Sequence, residues 1–91
     1  MLNKDNIDLC WNVLAKYGIK HQMNMVMEEC SELIKAVSKI FRYGKARGME
    51  NFIEELVDVI VVCQQMLLAF GISMDEVNKR TKNKLTKALK E

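Results

Sequence analysis

The sequence predicts an all-α fold, namely a four-helix antiparallel bundle-type protomer that forms an obligate homo-oligomer. Apolar residues recur three and four positions apart, and neither Pro nor Gly interrupts these runs, which predicts helices. Of the 91 residues, 49% are hydrophobic. A domain of this size buries only about 60 to 70% of its unfolded surface, so further copies are needed to cover the rest. We therefore expect one domain over residues 1–91 that associates with itself.

The first predicted helix spans residues 4–17. Asp5 or Asn6 is expected to cap its N-terminus, and Gly18 to end it in the left-handed conformation. Residues three and four apart give this helix one apolar stripe. The stripe consists of Ile7, Cys10 or Trp11, Leu14 and, at its end, Tyr17.

The next two predicted helices each carry a pair of acidic side chains three positions apart. Such spacing projects both carboxylates of a pair from one face of the helix. The pairs are Glu29 with Glu32 on the second helix, residues 20–42, and Glu55 with Asp58 on the third helix, residues 50–70. Antiparallel packing of the two helices would bring four carboxylates together.

Two further segments complete the predicted chain. Residues 43–49 hold two glycines and two cations, which predicts a mobile basic loop that turns the chain back antiparallel. Gly71 ends the third helix. Ser73, with Glu76 three residues later, is a capping box that opens a fourth helix over residues 74–90.

The four carboxylates predict a site for hard divalent cations. Grouped charges in a low-dielectric groove repel one another unless they are protonated or neutralised by cations. Oxygen ligands without His or Cys favour Mg²⁺ or Mn²⁺ over Zn²⁺ or iron. A solvated surface face is the alternative for any one acidic cluster. Asp58, however, interrupts a segment that is apolar on nearly every face, which indicates a helix buried nearly all round.

The two motifs together resemble those of a known enzyme family. The pattern E-E-x-x-E, here Glu28, Glu29 and Glu32, is followed 23 residues later by E-x-x-D, here Glu55 and Asp58. This arrangement is similar to that of the all-alpha nucleoside triphosphate pyrophosphohydrolases of the MazG-like group, whose relatives include dimeric dUTPases and dCTPases. The resemblance covers nearly the whole chain, roughly residues 20–90.

The resemblance implies an activity and a set of site residues. The activity is Mg²⁺-dependent hydrolysis of a (deoxy)nucleoside triphosphate at the α–β linkage to a monophosphate and pyrophosphate, by a dimer or tetramer. The expected role is cleansing of the nucleotide pool, with nucleotide signalling as the alternative. The implied metal ligands, with Mn²⁺ as an alternative ion, are Glu29, Glu32, Glu55 and Asp58. The implied catalytic residues are Glu28, Glu29 and Glu32, with Glu28 acting beside the metal or on the attacking water.

Further residues are candidates for binding substrate. By resemblance, Gln22 helps to read the base, while Asn83, Lys84 and Lys87 on the basic last helix reach the triphosphate. Asn51 shares a helix face with Glu55 and Asp58, so it is placed to orient water or substrate. Trp11 is either a core or interface residue or an aromatic wall for a base. The basic loop is either a plain turn or a lid over phosphates.

Composition limits the other classes of function. The formal charge of +2 is too small to argue for nucleic acid. Three cysteines, Cys10, Cys30 and Cys63, lack metal-type spacing and are expected to be reduced core residues of a cytoplasmic protein. No signal peptide is apparent. The longest apolar run, residues 56–72, contains Asp58 and two glutamines, which argues against a membrane span.

Two rival functions remain. A carboxylate-bridged di-iron bundle would need E-x-x-H motifs, and the single histidine, His21, is not so placed. His21 is expected at the surface or in contact with a base. The second rival is a non-enzymatic helical interaction module, whose acids are surface residues and whose basic C-terminal helix binds a partner.

Overall fold

The computed structural model describes residues 3–91, and within them the fold is all-α without a β-strand. Four helices follow one another along the chain. Their bounds are Lys4–Tyr17 for α1, Ile19–Tyr43 for α2, Lys45–Ala69 for α3 and Met74–Lys90 for α4. The predicted bounds of α1, α2 and α4 agree with these to within one residue.

The predicted basic loop over residues 43–49 is wrong, because Gly44 alone separates α2 from α3. Gly44 has φ +87°, a value that side chains disfavour, and this single residue reverses the chain direction. Gly48 lies inside α3 and is buried. A Cβ added there would be 2.9 Å from Cγ1 of Ile40, so this glycine permits close helix contact rather than a turn.

The helix caps differ in detail from those predicted. Asn3, rather than Asp5 or Asn6, caps α1, since its side chain accepts a hydrogen bond from the Asn6 backbone N–H. Ser73 caps α4 as predicted by accepting from the Glu76 N–H at 3.1 Å. In the reciprocal half of a capping box, the Glu76 side chain would accept from the Ser73 backbone N–H. This hydrogen bond is absent among the described contacts. The Glu76 carboxylate instead accepts from Arg80 at 2.7 Å, one turn further along.

Helices α2 and α3 form the centre of the protomer and pack antiparallel. The contacts that fix their register run in opposite directions along the two helices. They are Gln22 with Gln65, Glu29 with Asp58 and Ile40 with Gly48. Ala36 of α2 is fully buried. This register places the acidic pair of each helix opposite that of the other.

Helix α1 packs on the α2–α3 pair through Cys10 and Leu14, which are both buried. Cys10 rather than Trp11 therefore belongs to the apolar stripe of α1, since Trp11 is 46% exposed. Among the described residues all three cysteines are free. Cys10 is a core residue as predicted and Cys30 is half-buried, but Cys63 is exposed, so the core prediction for Cys63 is wrong in the protomer.

Helix α4 does not join a bundle within one protomer. No Cα of α4 lies within 8 Å of a Cα of another helix, and none of its residues is buried. Within the protomer, the prediction of a helix buried nearly all round also fails for α3, where Val57 is 49% exposed and Leu56 38%. The apolar stripe of α4 is too thin to cover this exposed surface of α3.

Within residues 3–91, no helix combines the length and apolar composition needed to cross a membrane.

Candidate metal and substrate site

Three carboxylates from the two central helices meet at one point. Glu29 of α2 and Glu55 and Asp58 of α3 each offer an oxygen, and these oxygens lie within 4.8 Å of one another. The i,i+3 spacing aims both α3 carboxylates at the same place, and the antiparallel register brings Glu29 opposite them. None of the three is fully buried, so the cluster is open to an ion from solvent.

The cluster has an electrostatic cost that a cation would relieve. Partial burial raises the pKa of Glu29 above its usual value, and the charges of Asp58, Glu55, Glu28 and Glu32 raise it further. A bound divalent cation favours the ionised carboxylate and removes this repulsion. The donor set is oxygen only and contains no histidine, which fits Mg²⁺ or Mn²⁺ better than iron.

The other two acidic residues of the first motif lie beside this cluster. Glu32 is not among the three that meet, and its Oε1 is 3.4 Å from Nζ of Lys35. Both side chains of that pair are largely exposed, so the pair contributes less than about 1 kcal/mol and opens readily. Glu28 is exposed next to Glu29, where its charge acts on the Glu29 carboxyl.

Gln22, predicted to read the base, is buried and fully engaged with protein groups. Its Nε2 donates to Oε1 of Gln65 at 2.7 Å, and its Oε1 lies 2.7 Å from Nδ1 of His21. The His21 ring in turn stacks on Tyr17, with centroids 5.0 Å apart. Gln22 therefore connects α2 to α3. In the sequence, Gln65 interrupts an apolar run. This interruption is the signal that could have identified Gln65 as the partner of Gln22.

The remaining predicted substrate residues are spread over the surface. Asn51 is half-exposed on the same face of α3 as Glu55 and Asp58, about one turn before Glu55 and two turns before Asp58. Trp11 lies exposed on α1. Asn83, Lys84 and Lys87 are exposed on α4, and the structure of one protomer does not bring them against the acidic cluster.

Fold and site together define a class of protein, the all-α proteins with a carboxylate cluster between two antiparallel helices. Sequence comparison identifies the family within that class. Residues 18–90 match the MazG nucleotide pyrophosphohydrolase domain, and the chain belongs to this family. The resemblance based on E-E-x-x-E and E-x-x-D is thereby confirmed, and family membership supports a nucleotide pyrophosphohydrolase activity.

One curated relative is a phosphoribosyl-ATP pyrophosphatase from Bacillus cytotoxicus (strain DSM 22905 / CIP 110041 / 391-98 / NVH 391-98). It is 29% identical over 79 residues, which cover 87% of this chain and 67% of the relative. No solved structure matches the chain significantly.

Proposed function

We propose that this chain is a Mg²⁺-dependent hydrolase that cleaves a (deoxy)nucleoside triphosphate at the α–β linkage. The observation that carries the proposal is the convergence of Glu29, Glu55 and Asp58, whose oxygens lie within 4.8 Å. Enzymes of this kind act mainly by positioning the phosphates and neutralising their charge. The products are a nucleoside monophosphate and pyrophosphate.

The acidic residues have separate tasks in this proposal. Glu29, Glu55 and Asp58 hold the divalent cation, which when bound neutralises phosphate oxygens and lowers the pKa of water. Glu32 completes the ligand set after leaving Lys35. Glu28 takes the proton of the attacking water, whose oxygen bonds to one phosphorus of the linkage as the bridging P–O bond breaks. Asn51 orients that water or the substrate.

Pyrophosphate release from a panel of canonical and modified (d)NTPs, with Mg²⁺ or Mn²⁺, tests the activity. Asp58→Asn should lower kcat/KM at least about 100-fold, because it removes one charged ligand that stabilises the transition state. Glu54→Gln is the matched control, since Glu54 is exposed on the same helix outside the cluster. If Asp58→Asn hydrolysed nucleotides as fast as this control, the ligand assignment would be wrong.

The substrate panel should include phosphoribosyl-ATP. The 29% identical relative is named for hydrolysis of that compound, which by its name is an ATP derivative. It is therefore a specific alternative within the same substrate class. A kcat/KM for phosphoribosyl-ATP far above that for every plain (d)NTP would assign the chain to that reaction instead of nucleotide-pool cleansing.

We also propose that the working form is a homo-oligomer, a dimer or a tetramer. A monomer of 10.5 kDa is expected to expose about 5,400 Å². This chain exposes 7214 Å². The excess of roughly 1,800 Å² exceeds the share that one subunit contributes to a stable interface. A groove of about 330 Å³, whose apolar lining includes Ile60, Cys63 and Leu67 of α3 and Val77 of α4, lies in this uncovered region.

An oligomer also gives a place to the cations of α4. Within one protomer no Cα of α4 lies within 8 Å of a Cα of α2 or α3, the helices that carry the acidic cluster. We therefore propose that Asn83, Lys84 and Lys87 bind the triphosphate at the cluster of a neighbouring copy. Free cysteines are compatible with the cytoplasm, where we propose that the enzyme acts on the nucleotide pool.

A second candidate function is a helical interaction module that binds a partner through α4. None of the residues of this basic helix is buried, and none of its Cα atoms lies within 8 Å of a Cα of another helix, which favours this candidate. Thermal unfolding separates the two candidates, since a ligand that binds the native state must raise the Tm. A pyrophosphohydrolase gains stability from Mg²⁺ with a non-hydrolysable nucleotide, whereas an interaction module does not.

A further inference from the structure

A cavity of about 220 Å³ lies between α1 and α3, beginning one helical turn beyond Asp58. Its lining combines two kinds of side chain. Apolar groups come from Leu9 and Val13 of α1 and from Val61 of α3, and three residues with amide side chains, Asn6, Gln64 and Gln65, also line it. Apolar walls with a few converging polar groups are typical of small-molecule sites.

Gln64 is a buried amide without a protein partner. The residue is only 8% exposed, and its side chain makes no hydrogen bond to any described residue. Every fully buried side-chain nitrogen or oxygen in the described chain nevertheless has a partner. The amide atoms of Gln64 must therefore retain access to open space, and the cavities that Gln64 lines provide it. Burying an amide is costly unless something completes its hydrogen bonds.

Gln65 also lines this cavity, and no described protein group accepts a hydrogen bond from its side-chain N–H. Its Oε1 accepts from Nε2 of Gln22, and Oε1 of Gln22 lies 2.7 Å from Nδ1 of His21. These contacts form a chain in which Nδ1–H of His21 donates to Gln22 and Gln22 donates to Gln65. The Oε1 of Gln65 is thereby occupied, which leaves its Nε2 available to an acceptor. Gln22 and His21 act as positioning residues for this donor.

We propose that this cavity binds the base of the nucleotide whose phosphates lie at the acidic cluster, and that Gln64 and Gln65 determine which base is accepted. The inference rests on the proposed function. A nucleobase has apolar faces and a hydrogen-bonding edge, which match the walls and the amides of the cavity. Gln65 lies seven residues beyond Asp58, about 10.5 Å along the helix axis, a span that a ribose and its α-phosphate can bridge.

The test that does not depend on turnover uses free nucleosides. Uridine, cytidine, adenosine and guanosine at millimolar concentration are titrated into ¹⁵N-labelled protein, and the side-chain amide signals of Gln64 and Gln65 are followed by NMR. We expect a saturable shift of both signals with at least one nucleoside. In Gln64→Met the shift of Gln65 should weaken at least about tenfold in apparent affinity, because the hydrogen bonds of the Gln64 amide to the base are lost.

Asn12→Met is the matched control, since Asn12 is an exposed amide of α1 outside the cavity lining. Val13→Phe fills the cavity from its apolar side and should abolish the shift without touching an amide. If no nucleoside shifts either signal, or if Gln64→Met and Val13→Phe bind as the control does, the cavity is not a base site. A cavity occupied by a side chain of a second copy would give that result.

Steady-state kinetics with the panel of (d)NTPs distinguish failure of the base site from failure of the proposed function. The ratio of kcat/KM between the best and the worst (d)NTP should fall about 10- to 100-fold in Gln64→Met, while stabilisation by Mg²⁺ stays unchanged. Hydrolysis with an unchanged ratio would overturn the base site and leave the proposed function intact. Nucleoside binding without hydrolysis of any nucleotide would support the base site and overturn the proposed function.

Discussion

At the scale of single residues, the structure distinguishes the carboxylates that form the acidic cluster from those that lie beside it. Glu29 and Glu32 are equivalent in the sequence motif, but only Glu29 meets the α3 carboxylates, and Glu32 lies near Lys35 instead. The i,i+3 spacing predicted a shared helix face. It could not predict which carboxylate would point across to α3, since that depends on the register between two helices and on a lysine one turn away.

Glu29→Gln should stabilise the metal-free protein at neutral pH. The pKa of Glu29 is raised in the fold, chiefly by partial burial and then by its acidic neighbours. Below the unfolded pKa the carboxyl is protonated in both states and contributes nothing. As pH rises through the interval up to the folded pKa, the unfolded state ionises first and stability is lost. Thermal unfolding in EDTA across this pH range should show that loss of stability in the wild type but not in Glu29→Gln.

The matched control for this prediction is Glu54→Gln, which removes the same charge from an exposed position outside the cluster. At neutral pH in EDTA, we expect Glu29→Gln to melt at a higher temperature than the control. With saturating Mg²⁺ the order should reverse, because the variant lacks a metal ligand. Equal melting temperatures in EDTA would show that repulsion within the cluster is negligible.

At the scale of helices, the α2–α3 contact depends on a glycine that sequence analysis interpreted as part of a loop. Helix propensity alone predicts that Gly48→Ala stabilises α3 by about 1 kcal/mol. The structure predicts the opposite, because the new Cβ would meet Cγ1 of Ile40 at 2.9 Å and its Cα at 3.4 Å. We expect a net loss of about 1–2 kcal/mol in the free energy of unfolding, measured by urea denaturation.

A double-mutant cycle checks the origin of that loss. Ile40→Ala removes Cγ1, the nearest atom that the new Cβ would meet, so Gly48→Ala should be less destabilising in that background than in the wild type. If Gly48→Ala were equally destabilising with and without Ile40, the cause would lie elsewhere than in this contact.

The buried amide pair between α2 and α3 gives a second prediction at this scale. Gln22→Met leaves Oε1 of Gln65 without its donor, which should cost about 1–3 kcal/mol of unfolding free energy. The double variant Gln22→Met/Gln65→Met should recover most of it, because both polar groups are then gone. Gln64→Met is the control, since Gln64 is buried but unpaired and its replacement breaks no protein hydrogen bond.

At the scale of the whole molecule, the exposed apolar surface predicts self-association. Analytical ultracentrifugation should give a mass of at least two chains at micromolar concentration. Leu56→Lys should shift the mass towards the monomer, because Leu56 is 38% exposed and extends the apolar groove by one turn of α3. Ser38→Lys adds the same charge to an exposed position of α2 and should leave the mass unchanged. A monomeric wild type would contradict the prediction.

Subunit mixing tests whether α4 serves a neighbouring site. Asp58→Asn lacks a ligand of the cluster, and Lys84→Ala/Lys87→Ala lacks the cations of α4. If each site combines the cluster of one copy with α4 of another, mixed oligomers contain some sites with neither defect. Pyrophosphate release should therefore rise after the two inactive variants are unfolded together and refolded. Activity no greater than that of the separate variants would place both groups in one protomer.

The sequence by itself determined the four helices and the two acidic pairs, because apolar periodicity and i,i+3 spacing depend on residues only a few positions apart. It also carried enough of the motif pattern to indicate the family. Only the tertiary structure decided that Glu29 rather than Glu32 meets Glu55 and Asp58, that Gly48 belongs to a helix, and that α4 stands apart. These features depend on how helices distant in the sequence pack together, and the register and uncovered surface follow from that packing alone.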